Sequence, residues 1–214
     1  MKRVFSILFC LTFSMVMSAQ SSGGQITRPI TKQSKRPTQN SQAKPRKEYG
    51  WIGMYFNGLA MVKQNGKYGY IDKAGKEVVP VKYDEARSFS EGRAMVKQNG
   101  KWGYIDKTGK EVIPIKYNDA RNFSEGRAGV RQNGKWGYID KIGKEVTLTK
   151  YDEAYDFTQG LARVCQNGKY GYIDETGKEV IPIKYSWSHD FLGGLAKVTL
   201  DGETFYINKQ GVRQ

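Results

Sequence analysis

From Leu59 onward the chain alternates fixed apolar positions with free ones. Ala and Val recur two apart as Ala60/Val62, Ala94/Val96, Ala128/Val130, Ala162/Val164 and Ala196/Val198, while the residue between them is Met61, Met95, Gly129, Arg163 or Lys197. That period of two belongs to a half-buried strand. Each run meets an Asn-Gly or Asp-Gly pair, at Asn65, Asn99, Asn133, Asn167 and Asp201, always 34 residues apart. Such pairs tolerate the positive φ that both central positions of a type I′ turn need, so each predicts a tight hairpin. The return strand of the second copy reads Lys101-Trp102-Gly103-Tyr104-Ile105-Asp106. Trp102 and Tyr104 share one face, and Gly103 predicts close approach of another backbone or a large ring. A second turn leads to Glu111-Val112-Ile113-Pro114-Ile115, a third and shorter strand. Pro114 cannot donate to a ladder, which places that strand at an edge. Tyr117 and Phe123 then flank a turn-rich return, YNDARNFSEG.

Nothing in the repeat has helical period, and constant spacing on this scale means one supersecondary unit used many times. The expectation is an all-β fold of five tandem 34-residue hairpin or meander repeats, with about three strands each, forming an open or spiralling β-solenoid. The alternative is a small five-unit β-propeller closed by the termini. The piece EYGWIGMYFNG aligns with KYDEARSFSEG, and DGETFYINKQGVRQ stops after the second strand and turn, so the two fragments nearly complete one unit. A closed ring and a capped open stack would both show this. A unit of 34 residues is short for a four-stranded blade, which favours the open stack.

Composition changes the picture mainly before the repeats. Lys2 and Arg3, the apolar run Val4–Met17 and the small pair Ser18-Ala19 have the three zones of a secretory signal peptide over 1–19. The apolar run is too short for a comfortable membrane span. Residues 20–47 carry seven basic residues, no acid and no aromatic, the composition of a disordered linker. Of 35 basic residues, two lie in the first segment and seven in the second, leaving 26 against 21 acids in the repeat domain, 48–214. The formal net charge of +14 is therefore concentrated outside the repeats. This argues against a specific nucleic-acid function and for a tether, with weak contact to an anionic surface as a second use. Cys10 leaves with the leader, so Cys165 stands alone and no intramolecular disulfide is expected.

The recurring Gly-Lys-[Tyr/Trp]-Gly-Tyr-Ile-Asp, followed by Gly-Lys-Glu-Val-Ile-Pro-x-Lys-Tyr, closely resembles the WG-repeat, or KWG-repeat, proteins of bacteria. The name-giving pairs stand at Trp102-Gly103 and Trp136-Gly137, become Tyr68-Gly69 and Tyr170-Gly171, and are lost at Thr204-Phe205. The resemblance implies a bacterial β-repeat protein, of a kind often exported and mostly without an assigned activity.

Catalysis needs unlike groups converging in one pocket, whereas a repeat offers rows of like groups. The series Asp72, Asp106, Asp140, Asp174 and Asn208 reads as turn capping rather than as a calcium site, since no clustered Asp-x-Asp loop supplies the needed oxygens. Cys165, Trp187 and His189 depart from the repeat, but Cys165, His189 and Asp190 fall at different phases of the unit, so they do not compose a thiol catalytic set. No enzyme, metal or cofactor is expected. Tyr68, Trp102, Trp136 and Tyr170 occupy equivalent positions, with Lys101 and Lys135 beside the tryptophans. Exposed, this row would suit a sugar or a peptide strand; buried, it would be core between repeats. The expected function is an exported, non-catalytic binding or scaffold module for another envelope protein. The alternative is a cell-wall or glycan binder using the aromatic row. Secreted, periplasmic or cell-surface localisation is expected from the leader.

Overall fold

Asn-Gly turns do close the hairpins: Asn99 and Gly100 have φ of 52° and 74°, and Lys97 pairs with Trp102 across the turn. The computed structural model describes residues 47–214; the leader expected at 1–19, and all of the linker expected at 20–47 except Lys47, lie outside them. Five antiparallel sheets follow one another along the chain. The first holds β1 (Trp51–Phe56), β2 (Leu59–Gln64), β3 (Lys67–Asp72) and β4 (Glu77–Tyr83), and the second β5 (Glu85–Ala86), β6 (Ala94–Gln98), β7 (Lys101–Ile105) and β8 (Glu111–Tyr117). The third holds β9 (Asp119–Ala120), β10 (Arg127–Gln132), β11 (Lys135–Asp140) and β12 (Glu145–Tyr151). The fourth comprises β13 (Glu153–Ala154), β14 (Leu161–Gln166), β15 (Lys169–Asp174) and β16 (Glu179–Tyr185). The fifth has three strands, β17 (Trp187–Ser188), β18 (Leu195–Leu200) and β19 (Glu203–Asn208).

The expected count of about three strands per unit is corrected to four in the first four sheets. In the second, third and fourth sheets the extra strand is a two-residue element such as Asp119–Ala120, too short to show alternation in a sequence, and in the first it is the six-residue β1. Asp119–Ala120 pairs with β10 through Ala120 and Val130 and forms one edge of its sheet. In the second sheet the strand that carries Pro114, β8, forms the edge opposite the two-residue strand β5, as its proline requires. Gly103 faces that strand so closely that a Cβ would lie 2.7 Å from Ile115 Cα. A register shift between Trp102 and Tyr104 accompanies the approach.

Consecutive sheets bury each other. One core cluster joins Tyr70, Val79 and Tyr83 of the first sheet to Ala86, Phe89 and Val96 of the second, and another joins Tyr172, Ile181 and Tyr185 of the fourth to Phe191, Val198 and Ile207 of the fifth. Among the described residues, no hydrogen bond in the structure links β1–β4 to β17–β19. The outer faces of the end sheets keep apolar side chains in solvent, Met54 at 82% and Leu192 at 83% exposure. The architecture is an open stack, and the closed five-unit ring is not formed.

Candidate functional site

Chemically capable side chains that recur in every copy serve the turns and the joints between sheets. Asp106 Oδ1 accepts from the amides of Thr108 at 2.8 Å and Lys110 at 3.1 Å, and Asp72, Asp140, Asp174 and Asn208 do the same in their units. The row of carboxylates is thus a set of turn caps, and among the described residues no three His, Cys, Asp or Glu side chains converge as a metal ion would need. The tyrosine two places before each of the four aspartates crosses to the next sheet. Tyr70, Tyr104, Tyr138 and Tyr172 donate at 2.6–2.7 Å to the carbonyls of Arg87, Arg121, Tyr155 and His189. Each ring meets Phe89, Phe123, Phe157 or Phe191 edge-on, with centroids 4.9–5.2 Å apart. Burial pushes all four hydroxyls up, Tyr172 to about 12.

The aromatic row expected from the sequence runs through equivalent places, but its rings are packed. Trp102 is 6% exposed and Trp136 8%, while Tyr68 and Tyr170 are half-buried. Arg87 and Lys97 lie over Trp102, and Arg121 over Trp136. Lys135 is ion-paired with Asp152, whereas the residue matching Asp152 in the unit of Lys101 is the uncharged Asn118, and among the described residues Lys101 makes no ion pair.

Side chains that vary between copies gather beside the two-residue strands. Arg121 lies 5.0 Å from the Trp136 ring centre and 5.5 Å from that of Tyr155; Arg163 lies 3.6 Å from Tyr155 and 5.7 Å from Tyr170. Rings and guanidinium groups therefore alternate in a column from the third sheet to the fourth. Arg163 closes it with an ion pair to Asp190 at 3.1 Å. Arg87 and Arg121 line a cavity of about 210 Å³ with Met95, Ala120, Asn122 and Asp156. Desolvation holds the Asp156 carboxyl above its usual range; Arg121 opposes this and Asp190 adds to it. Trp136 and Tyr170 belong to the aromatic row read from the sequence, but Arg87, Arg121, Asn122 and Asp156 did not stand among its candidates. The available signal was departure from the repeat, with Arg87, Arg121, Tyr155 and His189 at one position and Ser88, Asn122, Asp156 and Asp190 at the next.

Cys165 and His189 are not brought together. The thiol is 4% exposed, and burial, followed by Glu153 and Asp152, pushes its pKa up, away from the thiolate a nucleophile needs. His189 instead packs edge-on against Trp187, at 4.3 Å between centroids. It lines a larger cavity of about 620 Å³ with Asp190, Phe191, Leu195, Lys197 and Tyr206.

No curated protein matches the chain. Solved structures similar to it include Kluyveromyces lactis Hsv2, at 12% identity and a TM-score of 0.44, over 73% of this chain and 59% of that one. A eukaryotic initiation factor is 11% identical with a TM-score of 0.47, over 73% and 52%. The extracellular domain of a putative one component system from B. thetaiotaomicron is 12% identical with a TM-score of 0.36, over 77% and 29%. The chain thus spans less than two thirds of the length of each. A family model described as a WG containing repeat matches five times, at 46–68, 68–102, 102–136, 136–170 and 170–203. Those matches follow one another without a gap through the stacked sheets, and the chain belongs to the WG-repeat family.

Proposed function

We propose that the repeat domain is a non-catalytic binding module that takes a protein partner at the bacterial envelope, exported by the leader at 1–19 and tethered by the basic linker. The observation that supports this reading is a division of labour between positions. The repeated Asp, Tyr and aromatic side chains are engaged in turns and joints, while varied polar groups collect around one cavity lined by Arg87, Arg121 and Asp156. Varied side chains on a regular scaffold are how repeat proteins build a recognition surface. The glycan reading needs free ring faces, and the tryptophans of the row are buried beneath cations.

Residues 20–214 and residues 48–214, incubated separately with a fractionated bacterial envelope, would test this. The reading expects the same protein to co-sediment with both. Capture by the longer form alone, lost in salt, would transfer the binding to the tail. Murein captured by both would establish the glycan reading instead.

A further inference from the structure

Arg87, which is exposed, and Arg121, which is half-buried, line one cavity and differ from the other arginines in how their guanidinium groups are held. Five of the seven arginines among the described residues bond through their guanidinium groups. Arg93 and Arg127 donate to the carbonyls of Lys141 and Glu175 in the next sheet, and Arg131 to that of Gly134. Arg163 donates to the Ser188 carbonyl besides pairing with Asp190, and Arg213 pairs with Glu203. The guanidinium groups of Arg87 and Arg121 make no hydrogen bond or ion pair among the described residues. Arg121 Nε is buried and unpartnered, although the residue as a whole is half-buried.

Stacking, rather than hydrogen bonding, orients them. Position 129 is glycine where the second, fourth and fifth sheets have Met95, Arg163 and Lys197. A Cβ there would sit 3.2 Å from Arg121 Cδ, so the missing side chain makes room for Arg121 to lie across Trp136. In the fourth sheet the arrangement is exchanged: Tyr155 takes the place of Arg121, and Arg163 takes the place of Gly129 and covers the ring. Arg87 is placed over Trp102, 5.9 Å from the ring centre. A guanidinium fixed over a ring keeps its planar fork of donors available, and the ordering cost of binding falls accordingly.

The ligand follows from the charges and the size. Arg87 and Arg121 share their cavity of about 210 Å³ with one acid, Asp156, so a single negative charge balances the site. A carboxylate matches the guanidinium fork with two parallel N–H···O bonds, and Asn122 adds an amide. The volume of the space accommodates a carboxylate side chain. We infer that this cavity is the recognition point for an Asp or Glu side chain of the protein partner, with Arg121 and Arg87 donating to its carboxylate. The inference deepens the protein-binding reading and rests on it.

The test uses the full chain at physiological salt and a blocked peptide bearing Glu residues, with the same peptide carrying Gln as control. Trp102 and Trp136 lie under the two arginines, so their fluorescence reports the site. The Glu peptide should bind and the Gln peptide should not. R121Q and R87Q should each weaken binding about tenfold or more, the loss expected for a charge-assisted hydrogen bond. Lys73→Gln, at an exposed turn of the first sheet, should leave binding unchanged. R121K, which keeps the charge and loses the fork, separates loss of geometry from loss of folding, and should bind more weakly than the parent at an unchanged melting temperature. Undiminished binding of the Glu peptide to R87Q/R121Q overturns the assignment, as does absence of binding at millimolar peptide. Inorganic phosphate binding as tightly as the peptide would overturn the carboxylate and point to a phosphate site. If the envelope protein is still captured by R87Q/R121Q, the site fails while the protein-binding reading stands. If the peptide binds but no envelope protein is captured, that reading fails and the site stands.

Discussion

Asp106 engages the amides of Thr108 and Lys110 and also the Thr108 hydroxyl, at 2.6 Å. The hydroxyl bond first, then the two amide bonds, hold its carboxyl below the usual range. A depressed carboxylate contributes stability above its unfolded pKa of about 4 and loses it as pH falls through the folded value. Asp106→Ala should therefore cost about 1 kcal/mol at neutral pH and less in acid, read from urea midpoints at the two pH values. Asp106→Asn should keep most of the cap, since Asn208 makes the same two amide bonds in the fifth sheet. Gly103→Ala is the harsher change. Its new methyl would meet Ile115 backbone at 2.7 Å, and backbone cannot step aside as a side-chain tip can. A loss of about 2 kcal/mol or more is expected in the same melts, and a neutral result would mean that β8 is free to shift.

Among the elements, what the sequence disclosed and what it hid divide along physical lines. The Asn-Gly hairpin, the edge strand with Pro114 and the close approach at Gly103 each follow from one residue type with few conformational options. The two-residue strands β5, β9, β13 and β17 do not, because they are too short to show a period and lie within a return that reads as turn. A second set of tight turns was hidden too, since Glu91 and Glu125 hold φ near 50° at positions where Asn or Gly would have signalled them. Their side chains are used across the joint: Glu91 accepts from the Gly126 amide, and Glu125 from those of Gln159 and Gly160. The aromatic row was legible as a row, but its burial depends on the neighbouring sheet. The joints also set a limit at high pH. Four tyrosines buried neutral favour the fold fully below their unfolded pKa of about 10, and that contribution is lost as pH rises through their folded values, about 12 for Tyr172. The four joint tyrosines should form phenolate only as the circular dichroism signal is lost, whereas exposed rings such as Tyr55 and Tyr206 are free to ionise in the folded protein. Complete phenolate titration with the sheet signal intact would count against buried joints.

The whole molecule is a row of nearest-neighbour contacts, so each sheet is as stable as its neighbours allow. The third sheet has one on both sides, and the first and fifth expose apolar faces at Met54 and Leu192. Amide exchange should be slowest around Tyr138 and Ile139 and faster around Tyr206 and Ile207, even though these positions match in the repeat. The arrangement behind the proposed recognition surface was the least legible feature. Gly129 and Arg121 lie eight positions apart in the chain, and only the fold reveals that one makes room for the other. The repeated residues serve the joints between sheets, and the matching tyrosines Tyr104 and Tyr206 put this to the test. Tyr104 is buried and bonded to the next sheet's Arg121 carbonyl, whereas Tyr206 is 49% exposed at the outer face of the stack. Urea unfolding of Tyr104→Phe should show a loss of about 1 kcal/mol, with a buried carbonyl left unpaired, while Tyr206→Phe should match the parent. Equal losses at the two positions would contradict the account, because the tyrosine would then serve its own sheet and not the joint.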